Sequence, residues 1–170
     1  AEAAVSRDFR QVLDLDVPGE IVLPSRDGAP LQVFMTEPDD LRVWGPQVDH
    51  LSRLGYLMRT ADLDDPMVAG RRLERYVQMY GGVPVSGAGL TRQRSGDSTV
   101  SMFGTLYPDV SVDTAPAITP ADAAARLSSV VRGARPIDGD AVSLVVRPPE
   151  GGGPWSLAYE ARLVTVQDVL

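Results

Sequence analysis

Residues 75–90 read Arg75-Tyr76-Val77-Gln78-Met79-Tyr80-Gly81-Gly82-Val83-Pro84-Val85-Ser86-Gly87-Ala88-Gly89-Leu90, and the period of this stretch decides the fold class. From Leu73 the side chains alternate. Tyr76, Gln78 and Tyr80 fall on one face of an extended strand, and Arg75, Val77 and Met79 on the other. Gly81-Gly82 supplies a two-residue turn, because glycine alone takes positive φ without strain. The chain returns through Val83–Arg92, turns at Ser95-Gly96-Asp97 and runs back through Thr99–Leu106. Three such strands predict an antiparallel meander with one face packed and one wetter.

Upstream, Val5, Phe9, Val12 and Leu13 recur at the spacing of a short amphipathic helix over residues 3–13, which Pro18-Gly19 ends. Glu20–Leu23 and Leu31–Met35 read as strands joined at Ser25-Arg26-Asp27-Gly28. Pro46 is placed to open a helix through about Met58, with Val48, Leu51, Leu54 and Met58 on its inner face. Downstream, the polar stretch Pro108–Pro116 links to the clearest element of the chain. Thr119 is an N-cap, Pro120 takes the first helical position, and Asp122 completes a capping-box-like pair. Ala123, Ala124, Leu127, Val130 and Val131 share one side of that helix, and Gly133 is placed to stop it. Strand signals follow at Ala141–Arg147 and Trp155–Val166, joined by a Pro- and Gly-rich loop. The pattern predicts an α+β protein of two units, each a helix packed on an antiparallel sheet, with the seam in the 108–116 link.

Composition narrows the chemistry. The 170 residues suit one domain or two small ones, and 44% hydrophobic with 23% charged residues is ordinary for a globular chain. The formal charge of −7, with every basic residue an arginine, argues against a nucleic-acid partner, whose phosphates call for basic surface. No apolar run reaches the ~18–20 residues of a membrane span. The N-terminal Ala-Glu-Ala-Ala has neither the basic nor the apolar region of a signal peptide, so none is expected within these residues.

Cysteine is absent, which removes thiolate chemistry, disulfides and Cys-bearing zinc sites. His50 is the one histidine, so no His-Glu-x-x-His unit exists, and Ser86 lies outside any Gly-x-Ser-x-Gly elbow. The glycines of 81–89 match neither a Walker loop nor a dinucleotide fingerprint. Asp62-Leu63-Asp64-Asp65 and Asp138-Gly139-Asp140 lack the spacing of an EF-hand loop and read as solvated turns. No catalytic residue, metal site or cofactor is expected.

The stretch 75–90 resembles the core motif of the fungalysin/thermolysin propeptide domain, where an Arg-aromatic-x-Gln-x-Tyr strand runs into Gly-Val-Pro-Val and then Gly-Ala. Gly104–Val110, Asp113–Pro116 and the helix bearing Ala123-Ala124 resemble the exit from that domain. Trp155-Ser156-Leu157-Ala158-Tyr159-Glu160 resembles the Leu-Ala-Tyr strand of the PepSY domain that follows in such precursors. The resemblance spans roughly residues 46–166. It divides the chain into an unassigned segment 1–45, a propeptide-like domain 46–115 and a PepSY-like domain 116–170, the latter two cystatin-like. Two departures stand out. Leu73 occupies the place where the family usually has a histidine, and the chain reaches Leu170 without the family's further strand, so the second domain is expected to be cut short.

What the resemblance implies is a non-catalytic propeptide, intramolecular chaperone and inhibitor of a secreted thermolysin-like zinc metalloprotease, with that catalytic domain as its partner in cis or in trans. Secretion or the cell envelope would be its setting. The alternative is a free-standing extracellular or envelope binding module with no attached protease. Of the motif residues, Arg75 and Gln78 are expected to hold loop carbonyls or acidic neighbours. Tyr76 and Tyr80 are expected to pack, Gly82 and Pro84 to fix the hairpin, and Val85 and Gly87 to serve as structural residues of the same motif. A partner surface is expected at Pro149, Gly152, Trp155, Tyr159 and Leu170, where a loop, an aromatic anchor and a terminal strand edge coincide.

Overall fold

Leu31–Met35 (β1) alternates buried and exposed residues along its whole length, the signature of a strand with one covered face. The computed structural model describes residues 30–130, 134–136, 142–150, 153–161 and 163–165. The expectations for 3–13, Glu20–Leu23, the 25–28 turn, Val131, Gly133, Asp138–Asp140, Gly152 and Leu170 lie outside these residues. β1 pairs antiparallel with β5 (Ser98–Leu106), which brings Phe34 opposite Phe103.

A helix follows at once. α1 spans Pro38–Arg53, starting well before the Pro46 expected to open it. Pro38 sits in the first turn after an extended Glu37, and Asp39 and Asp40 favour the positive end of the helix dipole. Pro46 lies inside the helix on its exposed side, where the missing N–H is tolerated. The helix stops short of Met58 because Gly55 N–H bonds Ser52 C=O at 3.2 Å and Tyr56 N–H bonds Leu51 C=O at 2.9 Å, a Schellman stop. Met58 belongs instead to β2 (Leu57–Asp64), an edge strand exposed at most positions, whose weak alternation hid it in the sequence. α1 also runs across the expected 45/46 division.

β3 (Arg71–Tyr80) and β4 (Val83–Ser95) complete the meander, giving the antiparallel order β1-β5-β4-β3-β2. The Gly81-Gly82 turn has φ of +54° and +81°. α1 lays Leu41, Trp44, Val48 and Leu51 onto one face of this sheet against Val33, Leu57, Tyr76, Leu90, Met102 and Leu106. That is the first core.

The register of β3 on β4 jumps from Val77↔Gly89 to Met79↔Pro84, so residues 85–88 leave β3. At Gly89 the strands approach so closely that a Cβ would stand 2.1 Å from the Tyr76 carbonyl oxygen. The excursion gives Val85 a new neighbour: it pairs in parallel with Val146 of β7 (Ser143–Arg147). β7 forms a hairpin with β8 (Ser156–Glu160). Seven strands are thereby joined in one sheet, while β6 (Ala134–Pro136) and β9 (Leu163–Thr165) make a separate pair. A second core collects Tyr80, Val83, Val85, Ala88, Val110 and Val146, with Tyr107, Leu144, Trp155 and Leu157 packed against it.

α2 spans Pro120–Val130. Its cap forms as the sequence predicts: Asp122 N–H donates to Thr119 Oγ1 at 3.2 Å, and the Thr119 hydroxyl donates to Asp122 Oδ2 at 2.8 Å. Ala123 is buried and Leu127 half-buried, but Val130, expected on the same inner side, is 79% exposed. The chain is thus α+β, with two helices and a large antiparallel sheet among the described residues.

Candidate functional site

The alternation of β3 places Glu74, two residues before Tyr76, on the covered face, and that of β4 does the same for Arg92, two residues after Leu90. Both are buried. Arg92 Nε donates to Glu74 Oε2 at 2.6 Å, one terminal nitrogen donates to Gly45 C=O at 3.0 Å, and the other donates to Asp49 Oδ1 at 2.7 Å and to the Tyr76 hydroxyl oxygen at 2.9 Å. The Tyr76 hydroxyl donates in turn to Glu74 Oε2 at 2.9 Å, while Arg59 and Arg94 each reach Glu74 Oε1 at 3.3 Å. The network ties α1 to the middle of the sheet through a carbonyl and a carboxylate of the helix.

Its electrostatics follow from that closure. Burial pushes the Glu74 carboxyl up, but the hydrogen bonds and charge of Arg92, helped by Tyr76 and Arg94, outweigh it and hold the group below the usual carboxylate value. Burial pushes the Tyr76 phenol up to about 12, against the pull of the Arg92 charge and with Glu74 adding to it. Burial lowers Arg92, yet its bonds to Asp49 and Glu74 raise it overall. Burial and these contacts thus move Glu74 down and Tyr76 and Arg92 up, each away from neutral pH. A polar hollow of about 260 Å³ adjoins the network, but its charges are matched there: Arg92 by Asp49, Arg94 by Asp97, and Arg42 by Asp39.

The acidic run at 62–65, read from the sequence as a turn, instead forms the end of β2 up to Asp64, paired with β3, and its carboxylates are occupied in the same manner. Arg72 donates to Asp62 at 2.8 Å and Asp64 at 3.1 Å, and Asp65 Oδ1 accepts the Met67 N–H at 2.8 Å. Among the described residues no three His, Asp or Glu side chains gather as metal ligands would. Gln78 is buried opposite the β4 excursion, where β3 has lost its pairing with β4 but keeps Leu57 of β2 on its other edge. Its amide nitrogen donates to Tyr107 C=O at 2.7 Å and its carbonyl accepts Tyr107 N–H at 2.8 Å, pinning the start of the 107–119 link. Tyr80 and Val85 lie in the second core, Gly82 in the turn, and Pro84 and Gly87 at the start and bend of the excursion. Arg75 projects from the opposite, exposed face and has no ion-pair partner among the described residues.

The open feature lies beside the second core. A groove of about 460 Å³ runs between α2 and the β7–β8 hairpin, walled by Ile118, Ala123, Leu127, Leu144, Leu157 and Tyr159, with Arg126 at its rim. The Tyr159 hydroxyl donates to Ile118 C=O at 3.0 Å, fixing the ring as a wall. Of the residues expected to face a partner, Tyr159 therefore lines the groove. Trp155 instead stacks edge-on against Tyr107, centroids 5.3 Å apart at 87°, and packs on the second core. Pro149 is half-buried in the loop beyond β7. Trp155→Ala should accordingly cost about 3 kcal/mol of stability, read as an earlier urea midpoint at unchanged slope. A midpoint within error of the wild type would return Trp155 to the surface.

No family model matches the chain, and no curated protein does. Among solved structures, the Bacillus megaterium YpeB C-terminal domain is similar over 96% of this chain and 88% of its own, at 13% identity and a TM-score of 0.39. At that level the likeness assigns neither a family nor an activity. No helix among the described residues is long and apolar enough to cross a membrane.

Proposed function

We propose that the chain is a non-catalytic protein-binding module that receives its partner in the groove between α2 and the β7–β8 hairpin. The partner is the catalytic domain of a thermolysin-like zinc metalloprotease, for which the chain serves as folding chaperone and inhibitor, in the secreted or envelope setting where such enzymes act. One observation carries the binding role. Glu74, Tyr76, Arg92 and Asp49, the polar cluster under α1, are engaged with one another, whereas an apolar, side-chain-lined groove between α2 and the β7–β8 hairpin stands open to solvent. Its volume falls within the range of ordinary ligand sites and admits one or two apolar side chains of a partner segment.

The identity of the partner rests on the resemblance of residues 75–90 and 155–160 to protease precursors, as does the reading of the chain as two cystatin-like units. The placement of Gln78 agrees with that reading, because it holds the exit from the first unit in position for the second. Titrating the chain into a thermolysin-type metalloprotease, with peptide hydrolysis as the readout, tests the proposal. Saturable loss of activity is the expected result. Full activity at a large excess of folded chain would overturn the protease assignment and favour a free-standing module.

A further inference from the structure

The face of the five-stranded sheet turned away from α1 bears no helix among the described residues. Register places Phe34 beside Phe103, then Thr91, Arg75 and Ala61 in one row across the strands. Flanking rows bring Val77 beside Met58 and Leu73 beside Leu63. Phe34 is 65% exposed, Leu63 51%, Met58 47% and Phe103 45%. Four large apolar side chains this open on one sheet face make a patch that soluble surfaces seldom leave bare.

We propose that this face is covered by the chain's own N-terminal segment, with the amphipathic helix read at residues 3–13 laying Val5, Phe9 and Val12 across the Phe34–Phe103 row. The segment enters at the right place, since it ends at Pro30, immediately before β1, the edge strand that carries Phe34. Its length suffices. Residues 14–29 span up to about 50 Å when extended, against roughly 19 Å across five strands. A helix of that size, about 16 Å long, fits within the sheet. The opposite face is already filled by α1 and closed by the ion network, which leaves this one for a second helix.

Charge agrees. Arg75 stands alone as the charged residue in the central rows, without an ion-pair partner among the described residues, while residues 1–29 are acidic on balance, with Asp8 beside the apolar stripe. A second copy meeting this face with its own would set Arg75 against Arg75 near the centre, and is disfavoured on that ground.

Because the chain has no cysteine, disulfide trapping reads the contact directly. Full-length protein carrying Phe9→Cys and Thr91→Cys is oxidised at low micromolar concentration, and cross-linked monomer is followed by non-reducing electrophoresis and peptide mass mapping. The control pair, Arg7→Cys with Thr91→Cys, puts the first thiol on the outer side of the helix. Docking predicts intramolecular cross-linking about ten-fold faster for the Phe9 pair than for the Arg7 pair, and a slower rate for the Phe9 pair when Arg75→Glu is added. Equal rates for both pairs would mean a tethered but undocked segment and would overturn the proposal. So would no cross-link at all, or cross-links found only between copies.

Discussion

Replacing Arg92 with leucine is expected to remove about 3–5 kcal/mol of stability. The guanidinium serves Glu74, Tyr76, Asp49 and the Gly45 carbonyl together, so its removal leaves a carboxylate, a phenol and a backbone oxygen under α1 with reduced compensation. Arg59 and Arg94, each 3.3 Å from Glu74 Oε1, soften the loss without replacing the 2.6 Å bond. The pH dependence follows from Glu74. Its pKa in the fold is held below the unfolded value near 4.3, so its pairing stabilises the protein above that pH and the contribution fades as pH falls through the folded value. Once Glu74 is protonated, Arg92 has less to neutralise. The gap between wild type and Arg92→Leu should therefore be full at pH 7 and shrink progressively below about pH 4. Urea unfolding at a series of pH values measures it, and a gap independent of pH would remove Glu74 from the account.

Val146→Asp is expected to release the β7–β8 hairpin while α1 and the five-stranded meander stay folded. Val146 is fully buried and pairs with Val85, in the one parallel junction between that hairpin and the meander among the described residues. A carboxylate at that position has no cation among the second-core residues, and an uncompensated buried charge costs several kcal/mol. The two tryptophans report separately, because Trp44 is enclosed in the first core and Trp155 packs against the second. Emission from Trp155, isolated by Trp44→Phe, should shift to the red in Val146→Asp. Emission from Trp44, isolated by Trp155→Phe, should keep its position. Both shifting together would show that the joined sheet unfolds as one cooperative body.

Much of this architecture is legible in the chain itself. Period two from Leu73, paired glycines at 81–82 and the Thr119–Asp122 cap are local signals, and the elements they specify form where their spacing places them. The start of α1 was obscured because Pro38 and Pro46 both suit a first turn, and only tertiary packing carries the helix through the second. β2 was obscured because an edge strand with exposed side chains has little need to alternate. Glu74 and Arg92 illustrate a different limit. Their polarity points outward, yet their register with Tyr76 and Leu90 points inward, and the register wins because each charge meets its complement across β3 and β4. Extending the alternation through the charged positions would have found both. The β4–β7 junction and the groove carried no local signal, since each joins residues far apart in sequence.

The groove as a partner-binding face is the central claim, and Leu127→Arg addresses it most directly. Leu127 lines the groove from α2, is half-buried and stands outside both cores, and arginine is as good a helix former as leucine. Titration of a thermolysin-type metalloprotease with the wild type and with this variant, both shown to be folded by circular dichroism, compares their inhibition constants. The account predicts an inhibition constant at least about ten-fold weaker for Leu127→Arg, as expected for a charge placed in an apolar contact. Equal inhibition by the two proteins would contradict it.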